Sequence, residues 1–257
     1  MAGSELQRLV QALVDIAERA GAEILSVYET AFAVRGKDDS SPVTDADVRA
    51  EAAILRGLAE TAPLIPVVAE ESVAAGNLPD ISGGRFFLVD PLDGTREFIS
   101  RNGEFTVNIA LIADGLPMLG VVFAPALDRM FAGDVQLGAW LENGTGRHPI
   151  RCRSVPEAGL TVVASRSHGD AAALEAFLAG RKVAASARAG SSLKLCLIAA
   201  GETDLYPRLG RTMEWDIAAG HAVLAAAGGC VTDLHGEPLR YGKTGFENPH
   251  FVAAALR

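Results

Sequence analysis

Asp90-Pro91-Leu92-Asp93-Gly94-Thr95 places two carboxylates on one short turn. It follows Arg85-Phe86-Phe87-Leu88-Val89, an apolar run that reads as a buried strand ending at the first carboxylate. Pro91 restricts its own φ and Gly94 can turn left-handed, so the chain must bend sharply here. Two acidic side chains on such a turn can aim at one point. Clustered negative charges repel unless cations lie between them, which suits hard metal ions. Taken alone, the stretch reads equally as a solvated Asp/Gly turn. The rest of the chain weighs toward metal.

The 257 residues make one large domain or two joined lobes. A content of 49% hydrophobic and 21% charged residues is globular rather than disordered. The net charge of −9, with no basic stripe to track phosphates, argues against a nucleic-acid polymer as partner. An acidic chain can still act on a small anion if bound metals reverse the local field. No apolar run approaches a membrane span, and Met1-Ala2-Gly3-Ser4-Glu5 lacks the start of a signal peptide. Cys152, Cys196 and Cys230 are scattered and fit a reduced, cytoplasmic setting as small core residues. The dispersed histidines form no ligand pair, so zinc is not expected.

Leu6, Leu9, Val10, Leu13, Ala17, Ala20, Ile24 and Val27 recur at helical spacing and predict one long amphipathic helix. Residues 36–42 read as a polar loop. Thr44 then reads as the N-cap of a helix with Asp47 at its third position, stopped by Pro63. Val67-Val68-Ala69 is a short strand ending in Glu70-Glu71. Residues 105–112, the Asp114-Gly115 turn and residues 119–123 predict a hairpin, extended by strands at 130–132 and 139–141. Asn143-Gly144-Thr145-Gly146 is the candidate boundary between an N-terminal α+β lobe (1–146) and a C-terminal α/β lobe (147–257). Beyond it strands at 161–164, 183–188, 204–206 and 231–234 alternate with helices at 171–178, 193–200 and 217–227. The pattern predicts an α+β or α/β fold of layered lobes.

Glu70, Asp90, Asp93 and Asp216 each fall at a strand end or a helix start. Asp216 follows Trp215 at the head of an Ala-rich helix, where the dipole favours an anion. Such positions gather on one rim of an α/β sheet. Four carboxylates there suit two or three Mg²⁺ ions, and a pair of ions about 3.5–4 Å apart would clamp an attacking water and a departing oxygen around phosphorus. Asp47 and Thr95 are candidates to orient that water, although read alone each is better explained as a helix cap. A haloacid-dehalogenase-type phosphatase needs D-x-D, and here the second Asp comes one residue too late. An EF-hand needs Gly at loop position six, where Thr95 stands. The P-loop pattern is missing as well, which disfavours ATP-driven transfer.

With these residues in view, the chain resembles the lithium-sensitive, magnesium-dependent phosphatase superfamily that includes inositol monophosphatase. The signature runs Asp47, Glu70-Glu71, Asp90 to Thr95, Trp215-Asp216 and Gly228-Gly229, across nearly the whole chain. The resemblance implies a layered αβαβα sugar-phosphatase fold with the active site between two lobes. It implies Glu70, Asp90, the carbonyl of Leu92, Asp93 and Asp216 as metal ligands, and Asp47 with Thr95 as the pair that activates water. Glu70, Asp216 and the turn from Leu92 through Asp93 and Gly94 to Thr95 would also touch the substrate.

Within the superfamily the likeness is greatest to bacterial 3'(2'),5'-bisphosphate nucleotidases. It is carried by residues 88–98, by Arg101-Asn102-Gly103-Glu104-Phe105-Thr106-Val107-Asn108 and the apolar run after it, by Gly190-Ser191-Ser192-Leu193-Lys194 and by Leu205-Tyr206-Pro207-Arg208. Inositol monophosphatases usually carry Asn-Phe where this chain has Glu97-Phe98. That subfamily implies a small bisphosphate nucleotide as partner, adenosine 3',5'-bisphosphate, cleaved to AMP and phosphate in the recycling of a sulfur-assimilation by-product. Only one phosphate can lie on the metals, so the second must meet a cation elsewhere. The resemblance offers Lys194 and Arg208, with Ser191 as a hydroxyl donor and His168 as a further contact. Read alone, Lys194 and Arg208 are solvated charges and Ser191 is a helix N-cap. No aromatic clamp for adenine stands out. The resemblance also allows a homodimer and weak docking on the inner face of a membrane. An inositol or histidinol monophosphatase is the alternative within enzymes, and a non-catalytic Mg²⁺- or nucleotide-binding regulator is the alternative outside them.

Overall fold

Along Phe86-Phe87-Leu88-Val89 every side chain is buried, alternately on opposite faces of a sheet. A strand covered on both sides needs apolar residues at every position, which is why this run shows no polar alternation. The structure, a computed structural model, describes residues 3–30, 35–36, 42–166 and 171–255.

The first half contains α1 (Gly3–Tyr28), a short ribbon of β1 (Arg35–Gly36) and β2 (Pro42–Val43), α2 (Asp45–Thr61), β3 (Val67–Ala69), α3 (Glu70–Ala74), β4 (Arg85–Asp93), α4 (Thr95–Ile99), β5 (Thr106–Ala113), β6 (Leu116–Ala124), β7 (Arg129–Asp134), β8 (Gly138–Asn143) and β9 (Gly146–Ile150). The second contains β10 (Leu160–Ser165), α5 (Ala171–Leu178), β11 (Val183–Ala189), α6 (Leu193–Ala199), β12 (Leu205–Arg208), α7 (Glu214–Ala226), β13 (Gly229–Asp233) and β14 (Phe251–Ala255).

Strands β3 to β9 form a seven-stranded sheet in chain order, parallel only between β3 and β4. A five-stranded sheet runs β11-β10-β12-β14-β13, parallel around β10 and antiparallel around β14. Helices α1 and α2 cover one face of the larger sheet, where Leu13, Ile16, Ile54 and Leu58 join Phe87, Val89, Ile109 and Val121. Helices α6 and α7 lie between the sheets: Leu195, Ile217 and Val223 join Phe86, Leu88 and Val122 from one and Val163, Val231 and Phe251 from the other. Helix α5 lies outside, where Ala171 and Leu174 share a cavity with Val162 and Ala164 of β10. These are the αβαβα layers expected.

Helix α7 sits very close to the larger sheet because two glycines face it. Gly120 and Gly133 are paired across β6 and β7. A Cβ at Gly120 would lie 2.3 Å from the Ala219 carbonyl oxygen, and one at Gly133 2.6 Å from the Val223 Cα. The depth to which α7 sinks fixes where Asp216, in its first turn, stands.

Several expectations need correction. Strand β4 does not end at Asp90 but runs to Asp93. Its register shifts between Asp90, paired with Asn108, and Asp93, paired with Thr106, so Pro91 falls in a bulge where no ladder donor is needed. Glu70 and Glu71 open helix α3 rather than close a strand. Asn143 to Gly146, expected to separate the lobes, turns between β8 and β9 of one sheet, and the change of sheet falls after Ile150. Strand β14 is not evident in the sequence because Ala253-Ala254-Ala255 carries little strand propensity. The polar loop at 36–42 lies largely outside the described residues. The hairpin expectation holds, with Asp114 and Gly115 at φ 52° and 76°. The three cysteines are free, with Cys196 buried and the other two half-buried. Among the described residues no helix is long and apolar enough to cross a membrane.

Candidate active site

One cleft of about 400 Å³ is lined by Glu70, Asp93, Gly94, Thr95, Ser191, Lys194, Arg208 and Asp216, all expected site residues. They arrive from both sheets and from the helix layer between them. Glu70 is the first residue of α3, Asp93 the last of β4 and Asp216 the third of α7. Gly94, at φ 92°, holds the left-handed bend that lets α4 start directly after the strand. Asp47, Asp90 and Leu92 do not line the cleft; each is buried behind it. His168 lies outside the described residues.

Asp47 both caps its helix and reaches the turn. Its Oδ2 accepts from the Thr44 backbone N–H at 2.7 Å and from the Thr44 hydroxyl at 2.8 Å. Its Oδ1 faces the Thr95 hydroxyl, which donates to it at 3.4 Å. The same hydroxyl lies 3.4 Å from the Leu92 carbonyl oxygen. Thr95 is the first helical residue, with Gly94 before it, so its hydroxyl is not spent as a cap. The bulge holds Asp90 through the Leu92 N–H, which donates to Asp90 Oδ1 at 3.0 Å.

Asn108 joins the site without having stood out in the sequence. Fully buried in β5, it donates from Nδ2 toward Asp93 Oδ2 at 3.3 Å and toward the Asp216 carbonyl at 3.4 Å. An Asn inside the run Val107-Asn108-Ile109-Ala110 is the available signal, since a polar residue on a buried strand needs partners. Ser192 is a second such residue: its hydroxyl donates to the Asp216 carbonyl at 2.7 Å. Ser191 takes a left-handed φ of 45°, and its Oγ accepts from Leu193 N only at 3.5 Å, so Ser192 rather than Ser191 occupies the N-cap position of α6.

Burial pushes the Asp93 carboxyl up to about 6, opposed by Lys194 and Asn108. Burial, with the charges of Asp93 and Glu70, raises Asp216 well above the usual carboxylate range. Lys194, 5% exposed, is no solvated charge: burial pushes its ammonium down to about 8 against the pull of Asp93. The ammonium stacks 5.3 Å from the Tyr206 ring centre. Ionising these carboxyls is thus disfavoured unless cations lie against them. The side chains of Glu70, Asp93 and Asp216 offer only hard carboxylate oxygens, and this chemistry fits Mg²⁺. Among the described residues no three acidic, His or Cys side chains are gathered tightly enough to cage one ion. Mg²⁺ characteristically keeps several waters and takes one or two carboxylates with substrate phosphate oxygens, which an open wall of this kind allows.

Residues 5–255 match the model of the Inositol monophosphatase family, and the chain belongs to that family. Among its curated relatives, the 3'(2'),5'-bisphosphate nucleotidase CysQ of Escherichia coli O157:H7 is 46% identical over 246 residues, covering 95% of this chain and 98% of that one. The crystal structure of CysQ from Bacteroides thetaiotaomicron, 37% identical, matches with a TM-score of 0.83 and covers 98% of both chains. The inositol monophosphatase from Anabaena (Nostoc) sp. PCC 7120, 27% identical, matches at 0.76 over 97% of this chain and 91% of that one.

Proposed function

We infer that this chain is a Mg²⁺-dependent phosphomonoesterase that removes the 3'-phosphate of adenosine 3',5'-bisphosphate, leaving AMP and phosphate. The observation that carries this reading is the presence of both charge signs in one cleft. Glu70, Asp93, Glu97 and Asp216 line it together with Arg96, Lys194, Arg208 and Arg211, so carboxylates and cations share one cleft. A substrate with two phosphates answers both: one ester meets the carboxylates through cations, and the other meets the ammonium and guanidinium groups directly. The similarity to the CysQ nucleotidases supports the same choice.

In this reading Thr95 holds the attacking water. Its hydroxyl donates to Asp47 Oδ1, which leaves an oxygen lone pair to accept from the water. As the water oxygen bonds to phosphorus and the bond from phosphorus to the ribose 3'-oxygen breaks, the water proton passes to Thr95 Oγ1, the threonine proton passes to Asp47, and the departing 3'-oxygen takes up a proton from solvent. The Thr44 contacts on Oδ2 keep the other oxygen of Asp47 aimed at Thr95. Mg²⁺ held by Glu70, Asp90, the Leu92 carbonyl, Asp93 and Asp216 would supply Lewis-acid stabilisation of the phosphoryl and leaving oxygens. Lys194, Arg208 and Ser191 bind the remaining phosphate and orient the ester. The cytoplasm, recycling of a sulfur-assimilation by-product and sensitivity to Li⁺ complete the reading.

Steady-state kinetics with Mg²⁺ test it. A kcat/KM for adenosine 3',5'-bisphosphate at least about a hundredfold above that for inositol 1-phosphate is expected, the size of two lost charge-assisted contacts. A preference for the inositol ester overturns it.

A further inference from the structure

Glu104 stands in the loop between α4 and β5, and its carboxylate reaches across to the smaller sheet. It accepts from Arg166 Nε at 2.7 Å, from Arg166 Nη2 at 2.7 Å and from the Gly190 N–H at 2.8 Å. Arg166 follows β10 and Gly190 follows β11, so one side chain of the first half ties together two strand ends of the smaller sheet. Arg166 also donates to the Arg188 carbonyl at 3.0 Å, which closes the link onto β11. Burial alone would raise the Glu104 carboxyl, but Arg166 and the Gly190 N–H outweigh it and hold the group below the usual carboxylate range.

The backbones meet equally closely. A Cβ at Gly190 would lie 2.6 Å from the Glu104 carbonyl oxygen and 2.6 Å from Glu97 Cγ. A Cβ at Gly94 would lie 3.2 Å from that same carbonyl oxygen. Glu104 is therefore wedged between the glycine that follows Asp93 and the glycine that precedes Ser191. Past Gly190 the chain turns left-handed at Ser191, and Lys194 Nζ donates back to the carbonyls of Ser191 and, at 3.5 Å, Ala189. The ammonium is thus anchored to the very segment that Glu104 holds.

We propose that Glu104 is a positioning residue that locks residues 189–194 onto the Asp93 turn, and so sets where Lys194 meets the second anionic group of the substrate. Its bearing on the substrate rests on the two-phosphate reading above. Glu104 has no role in breaking the ester bond, so its loss must weaken recognition of the distal phosphate and spare the chemical step.

Glu104→Gln keeps an acceptor for Gly190 N but loses the charge and the double contact with Arg166. The variant is expected to raise KM for adenosine 3',5'-bisphosphate about tenfold with kcat within about twofold. KM for 3'-AMP, which lacks the second phosphate, should stay within about twofold. Amide hydrogen exchange over residues 190–194 should quicken, while that over β5 stays unchanged. Unchanged KM values, or an equal fall of kcat on both substrates, overturn the proposal. Should the Gln variant not fold, Arg166→Lys keeps the charge and removes the planar fork; it must shift the same KM in the same direction, and no shift overturns the proposal. A wild-type enzyme with no preference for the two-phosphate ester sinks the function reading instead. The exchange measurement then decides the lock by itself, and unaltered exchange in Glu104→Gln refutes it.

Discussion

Thr95 Oγ1 stands 3.4 Å from Asp47 Oδ1, across a gap of 48 residues in the chain. The two oxygens of Asp47 have separate tasks: Oδ2 caps α2 through Thr44, and Oδ1 faces the cleft's turn. A single carboxylate in a first helical turn can therefore cap its helix and still present an oxygen to Thr95.

Asp47→Asn should separate the tasks. Turnover of adenosine 3',5'-bisphosphate is expected to fall about 10²–10⁴-fold, as for loss of a proton acceptor. Stability should fall by only about 1 kcal/mol, the scale of a weakened cap. Steady-state kinetics beside thermal melting checks both, and full turnover in the variant reduces Asp47 to a cap.

Asp93→Asn should abolish Mg²⁺-dependent turnover while leaving the fold intact. In EDTA the variant is expected to melt above the parent at neutral pH, because burial raises the Asp93 carboxyl to about 6 and its charge there is unfavourable. Mg²⁺ at a hundred times its Kd should stabilise the parent by about 2.7 kcal/mol. Melting curves with EDTA and with Mg²⁺ read both effects. A variant that keeps full activity, or a parent whose melting ignores Mg²⁺, counts against the metal wall.

Gly120→Ala should be among the most damaging single changes far from the cleft. Its Cβ would fall 2.3 Å from the Ala219 carbonyl and 2.8 Å from Ala222 Cβ, so α7 must lift from β6. The overpacking is expected to cost about 3 kcal/mol. Because α7 carries Asp216, Mg²⁺ affinity should weaken too. Urea unfolding and a Mg²⁺ titration would show it, and a neutral substitution would mean that α7 sits less tightly than described.

His221 should make the protein acid-labile. Burial lowers its imidazole to about 4, and Nδ1 lies 2.8 Å from the Tyr241 hydroxyl. The unfolded chain binds the proton first, near the ordinary histidine range of about 6.5. The stabilising contribution is therefore complete above about pH 6.5 and is lost as pH falls toward about 4, by up to about 3 kcal/mol. His221→Gln should flatten the stability profile across that window in urea melts at stepped pH. An unchanged slope would assign the acid lability to other groups.

Much of the site was legible because its acids are local events. Asp90, Asp93 and Thr95 share one turn, Asp216 stands in the first turn of a helix that its Ala-rich run announces, and Glu70 directly follows the strand read at Val67 to Ala69. What escaped depends on partners distant in the chain. The burial of Lys194 follows from α6 lying between two sheets, which no local pattern around it encodes. Asn108 and Glu104 gain their meaning only from Asp216, Arg166 and Gly190, far along the chain. The strand end read at Asp90 misled in the opposite sense: a bulge excuses the missing donor of Pro91, and β4 continues to Asp93. The turn at Asn143 to Gly146 misled because a hairpin and a lobe boundary carry the same Asn-Gly signal.

The proposed function depends on hard cations settling against the carboxylates of Asp90, Asp93, Asp216 and Glu70. A crystal grown with Mn²⁺ in place of Mg²⁺, together with AMP and phosphate, tests this most directly. Anomalous peaks are expected within coordination distance of those carboxylates and the Leu92 carbonyl, with phosphate beside Thr95. A map with AMP bound and no anomalous peak among those oxygens would contradict it.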